Sequence, residues 1–155
     1  MLYSGSQLDD SALLAFEKKL NVVLPKDYKE FMLKHNGGKP ETEWIFDFTD
    51  VNNIYNKSII QGFLVIYPSE THNLDDLMKS YRILVEGGYT PASVLPIADD
   101  PSGNIILMSI AGEDYGRVYF GDHELADPDT GYLVASAISN SFAEFVEKCK
   151  GADEN

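Results

Sequence analysis

The pattern of the 155-residue chain predicts an α+β fold: a single, largely antiparallel sheet covered by N-terminal, middle and C-terminal helices. Three observations carry this expectation. Helical periodicity occurs at both ends and once in the middle. Strand-like segments are concentrated between these helices. The connections among the later strands are short, which favours antiparallel pairing over crossovers.

The elements read ααββαββββα. Residues 6–20 form the first expected helix, with Ser6 and Asp9 at capping-box spacing, Asp10 near the positive end, and Leu13, Phe16 and Leu20 on one face. The stretch LPKDYKEFMLKHNGG, Leu24 to Gly38, is the second. Pro25 suits the first helical position, and Tyr28, Phe31, Met32 and His35 fall at i, i+3, i+4 and i+7. The glycine pair Gly37-Gly38 follows the helix, whereas a phosphate-binding loop puts its glycines before one. The pair is therefore read as a helix stop.

Trp44, Phe46 and Phe48 alternate with Asp47 and Thr49 as a strand. Ile59 to Tyr67 is a second strand region, with Gly62 as a bulge. Asn73 caps a third helix whose stripe is Leu74, Leu77, Met78, Tyr81 and Leu84, ending at Gly87-Gly88. SVLPIA and NIILMSI flank a DDPSG turn, and GRVYFGD and GYLVASA are further strands. Ser141 and Glu144 box the last helix, which buries Phe142, Phe145, Val146 and Cys149 and stops at Gly151. Residues 1–151 read as one domain and 152–155 as a loose tail.

Composition narrows the function. Acids outnumber bases 25 to 12, a formal net charge of −13. Such a surface opposes nucleic acid and anionic lipid, both of which require a positive footprint. It suits solubility or a basic protein partner. No apolar run reaches the ~20 residues of a membrane span. The first residues lack the basic and apolar regions of a signal peptide, and Cys149 is a lone cysteine, so a cytoplasmic location is expected.

Chemistry is sparse. His35, His72 and His123 lack the spacing of a helical metal pair. Asp122, His123 and Glu124 are adjacent, but strand neighbours point to opposite faces, so a polar strand end is favoured over a metal site. DPDTG, Asp127 to Gly131, departs from a calcium loop at the glycine and glutamate positions and reads as a turn. Asp99-Asp100 beside Pro-Ser-Gly reads as a turn former. No cofactor, metal or catalytic constellation is called.

Four segments, in order, carry a resemblance. They are Phe16, Glu17, Leu20, Leu24, Pro25, Tyr28, Phe31, Asn36, Gly37 and Gly38; then Pro96, Ile97, Ala98, Asp100, Gly103 and Asn104; then VYFGDHE, with Gly121 where tryptophan is common; and finally SFAEFVEK. Together they resemble the SUKH superfamily, which includes fungal Smi/Knr cell-wall assembly regulators and many bacterial proteins. The resemblance implies an α+β fold without catalytic residues. It implies bacterial members that neutralise secreted polymorphic toxins, often nucleases, and fungal members that act as regulatory interaction modules.

The expected function is a non-enzymatic immunity protein that binds a basic toxin domain through an acidic surface. A Smi/Knr-type scaffold is the alternative, and a small-molecule or metal-dependent role beside His123 ranks third. The candidate partner contacts are Trp44, Asp47, Asp50, Asp99, Asp100, Asp122 and Glu124, chosen as exposed acids and an aromatic near loops.

Overall fold

The computed structural model describes residues 1–153. Its elements are α1 (Asp10–Leu20), α2 (Lys26–Lys34), β1 (Ile45–Thr49), β2 (Tyr55–Ile59), β3 (Gly62–Phe63), α3 (Leu77–Glu86), β4 (Val94–Asp99), β5 (Ile105–Ser109), β6 (Val118–Ala126), β7 (Leu133–Ser139) and α4 (Phe142–Asp153). The α+β class and antiparallel pairing hold. The strands divide between a β1-β2 hairpin and a five-stranded meander, β3-β4-β5-β6-β7.

α1 starts later than its sequence suggests. Asp9, not Ser6, is the cap: its carboxylate accepts from the Ala12 N–H at 2.8 Å. Asn21 closes the helix in the left-handed conformation, φ 55°. Glu17 then fixes the turn into α2. Its buried carboxylate accepts from the Leu24 N–H at 2.7 Å and lies 3.5 Å from the Lys29 ammonium. Pro25 stands at the cap, one position before the expected one.

The glycine pair does more than stop α2. His35 already leaves the helix with extended backbone, φ −140°. Gly37 (φ 68°) and Gly38 (φ 110°) then thread between two backbones. A Cβ on Gly37 would lie 2.4 Å from the Leu64 carbonyl oxygen, and one on Gly38 2.6 Å from that of Leu2. Close backbone approach and positive φ both demand glycine here. Between the helix and the pair, the buried Asn36 donates to the carbonyls of Ser6 and Ile66 and accepts from the Ile66 N–H, each at 2.9 Å.

The expected strand from Ile59 to Tyr67 is not continuous. β2 lies earlier, pairing with β1 from Ile45↔Ile59 to Thr49↔Tyr55. Gly62 is no bulge; it pairs with Asp99, and Phe63 pairs with Ala98. α3 also starts late: Asp76, not Asn73, caps it by accepting from the Lys79 N–H, and Leu74 is 93% exposed.

The core lies between the meander, the β1-β2 hairpin and the four helices, α3 contributing the fully buried Leu77. Phe142 of α4 meets Tyr28 at 5.1 Å and Phe31 at 5.0 Å, both edge-on. Asp27 of α2 accepts from the Ala143 N–H, and the Ser141 hydroxyl from the Glu144 N–H, so two side chains cap α4. The helix runs through Gly151, the expected stop, to Asp153. Of the tail expected over 152–155, residues 154 and 155 lie outside the described residues. Among the described residues, no helix is long and apolar enough to cross a membrane.

Candidate functional site

The β1-β2 hairpin alternates as a half-buried strand pair should. Phe46 and Phe48 turn inward. Phe48 stacks on Phe120 of β6 at 4.4 Å, and Phe46 lies 5.6 Å from Phe145 of α4. Asp47 turns outward, accepting from the Tyr55 hydroxyl at 3.0 Å and lying 3.4 Å from the Lys148 ammonium. The hydroxyl and the ammonium together hold its carboxyl below the usual carboxylate range.

Asp50 builds the turn that joins these strands. Its Oδ1 accepts from the N–H groups of Asn52 (2.9 Å) and Ile54 (3.0 Å), and Oδ2 accepts from the Asn56 amide (2.9 Å). The Ile54 N–H leads in depressing the Asp50 pKa, so the group is ionised at neutral pH. The tight turn leaves no inward side for its own apolar residues. Val51 is 63% exposed, and Ile54 and Tyr55 are each 59% exposed.

A second hairpin, β6-β7, stands beside the first. Its pairing shifts register between Asp122 and Ala126, where Asp122 accepts from the Glu124 N–H at 2.9 Å. The irregularity leaves Leu125 half-exposed and Glu124 exposed. Asp50 and Asp122 line one depression of about 50 Å³, which Phe48 and Phe120 also line, together with Val51 and Leu125.

The electrostatics of this hairpin are one-sided. From Val118 to Glu147 the sequence has no lysine or arginine. Asp122, Glu124, Asp127 and Asp129 have no lysine or arginine ion pair among the described residues; the one pairing is Glu124 at 3.9 Å from His123. The arrangement presents uncompensated carboxylates around exposed aliphatic side chains, and this pairing suits a partner that brings both cations and apolar area.

Four of the seven candidate contacts, Asp47, Asp50, Asp122 and Glu124, lie on the two hairpins. The other three do not form part of this surface. Trp44 was expected to be exposed, but it is 9% exposed, edge-on to Phe63 at 5.7 Å with the Lys150 ammonium over its ring. Asp100 is buried. Its carboxylate accepts from the N–H groups of Ser102 and Asn104, the Asn104 amide and the Ser58 hydroxyl, so it organises the β4-β5 turn and ties it to β2. Asp99 is half-buried beside Gly62; burial, then repulsion from Asp100, raises its pKa to about 6. His123 is tied to the same turn, with its N–H and Nδ1 both on Asn104 Oδ1. Among the described residues, no group of three His, Cys, Asp or Glu could hold a metal ion.

Val51, Ile54, Tyr55 and Leu125 were not singled out from sequence. A signal existed: the stretch DVNNIYN sets apolar residues among turn formers, where they cannot all reach a core.

Most residues of the recurrent motifs serve the fold. Glu17, Asn36, the glycine pair and Asp100 each hold backbone in place. A relative, the SPbeta prophage-derived uncharacterized protein YokK of Bacillus subtilis (strain 168), is 29% identical over 147 residues, covering 86% of this chain and 70% of its own. The family model of the SMI1 / KNR4 family (SUKH-1) matches residues 7–148, which span α1 to α4. With that match over nearly its whole length, and with the motif segments placed in order on α1–α2, β4–β5, β6 and α4, the chain belongs to the SMI1 / KNR4 family (SUKH-1).

Proposed function

We propose that this protein is a bacterial immunity protein, acting in the cytoplasm by non-covalent binding of a basic toxin domain, and that it catalyses nothing. The surface of the β1-β2 and β6-β7 hairpins is the proposed contact. The observation that carries the reading is the company kept there: Asp50, Asp122 and Glu124 without cationic partners among the described residues other than His123, beside exposed Val51, Ile54 and Leu125. Family membership and the net charge of −13 support it. A nuclease must present cations to a polyanionic substrate, and an acidic protein offers those cations a competing surface. The exposed aliphatics supply the desolvated centre that charge alone lacks.

Co-expression with the product of a neighbouring secreted-protein gene tests the reading. A stable complex, with rescue of growth in cells making that product, is expected. No complex with any such product, together with a neighbourhood of wall-synthesis genes, would favour a regulatory scaffold instead.

A further inference from the structure

A second concavity, of about 360 Å³, opens where the β6-β7 hairpin meets the loop after α3. The Leu133 N–H donates to the Tyr89 carbonyl at 2.9 Å, so that the start of β7 is tied to this loop. Leu107 and Tyr119, paired across β5 and β6, line its sheet side. The cleft adjoins the hairpin surface, for Val51 and Val134 line both concavities.

Its chemistry is selective. Among the described residues, three tyrosines line it, Tyr89, Tyr119 and Tyr132, with two carboxylates, Asp114 and Asp127, and no lysine or arginine. The Tyr119 and Ser109 hydroxyls donate to Asp114, each at 2.7 Å, and the Tyr119 hydroxyl leads in keeping that carboxyl ionised. Asp127 receives the N–H groups of Asp129 and Thr130, and both bonds fall on Oδ1. Thr90, which also lines the cleft, is 3% exposed, and its hydroxyl has no hydrogen-bond partner among the described residues. A buried, unpaired hydroxyl is a costly feature that a ligand donor would relieve.

Arg117 acts on Asp114 and the Tyr119 hydroxyl from outside the lining, so an anion in the cleft would face two carboxylates with no lining cation to receive it. A neutral apolar group would desolvate those carboxylates without return. A planar cation satisfies the whole lining: its face stacks on tyrosine rings and its edge donates to carboxylates and hydroxyl. We propose that this cleft receives an arginine side chain projected by the protein partner, with Asp114, Asp127 and the Thr90 hydroxyl as acceptors and the tyrosines as stacking platforms. The proposal rests on the reading of the protein as a binder of a basic protein, and it assigns that partner a specific anchor.

The test is an amide-resolved NMR titration of the intact protein with N-acetyl-arginine methylamide at physiological salt. The uncharged citrulline analogue and the lysine analogue serve as controls. The expected result is saturable shifts confined to residues 89–94, 114, 119 and 127–135, weaker with the lysine analogue and absent with citrulline. Asp127→Asn is expected to weaken binding about tenfold. Thr90→Val is expected to weaken it about fivefold while leaving the melting temperature equal or higher, which a purely structural hydroxyl would not do. Shifts scattered over the acidic surface, equal response to citrulline, or unchanged binding in both variants would overturn the assignment. The toxin complex separates the two levels. A toxin held equally well by Asp127→Asn and Thr90→Val sinks the anchor and leaves the immunity reading standing, whereas arginine binding in the cleft with no toxin bound does the reverse.

Discussion

The Asn36 side chain makes three hydrogen bonds to backbone groups 30 residues away in either direction, at Ser6 and Ile66. Its place in a motif was visible in the sequence. The need for an amide there was not, because its partners meet it only in the folded chain. Asn36→Ala leaves those buried groups unpaired and is expected to cost about 3 kcal/mol in urea denaturation. Adjacent Asp99 and Asp100 show the same limit from the other side. Identical in sequence, one is half-buried against a like charge and the other is fully hydrogen-bonded. Because the folded-state pKa of Asp99 is raised to about 6, its contribution to stability is fully present below the unfolded value and is lost as pH rises through about 6. Asp99→Asn, which can still accept a hydrogen bond, should therefore stabilise the protein by about 1 kcal/mol near pH 7 once solvent screening is allowed for. The gain should vanish near pH 3.5, well below the raised pKa. A gap between variant and wild type that stays constant with pH would contradict the assignment.

Among the elements, helices and the later strands were legible because their apolar periods are long and clean. β2 was not: its residues, YNKSI, are mostly polar and its partner strand supplies the apolar face. β3 has two residues, too few for a pattern, and the buried apolar residues Phe63 to Ile66 continue beyond it with isolated bridges in place of a strand ladder. Asp100 joins the β4-β5 turn to β2 through Ser58 at 2.9 Å, so damage to the turn should reach the hairpin that carries the candidate surface. Asp100→Ala is expected to cost about 3 kcal/mol, and Ser58→Ala about 1 kcal/mol. Hydrogen exchange should show β1-β2 losing protection along with residues 100–104 in Asp100→Ala. Protection lost at 100–104 alone would show that the hairpin is held by its aromatic stack on Phe120 and not by this link.

For the whole molecule, charge and composition made the acidity of the protein legible, but not where its acids gather. Two hairpins distant in sequence have to be brought together before Asp50 and Asp122 share a depression. The fully buried Cys149, whose thiol is pushed up to about 12 by burial, gives a reporter of global opening. It should resist thiol reagents in the native state and react only as the chain unfolds, with a rate that follows urea concentration; rapid labelling in buffer would contradict the packing of α4. Steering, by contrast, is a property of the assembled surface. The most direct measurement is the association rate with the proposed toxin partner over a range of salt, for the wild type and for a variant carrying Asp50→Asn, Asp122→Asn and Glu124→Gln. The amides keep the Oδ1 acceptors of both turns and remove the charge, giving up only the bond from the Asn56 amide to Asp50 Oδ2. The wild-type rate should fall steeply as salt rises, and at low salt the variant should associate about tenfold more slowly with much weaker salt dependence. Equal rates and equal salt dependence in the two proteins would show that the partner is not bound through the acidic hairpins.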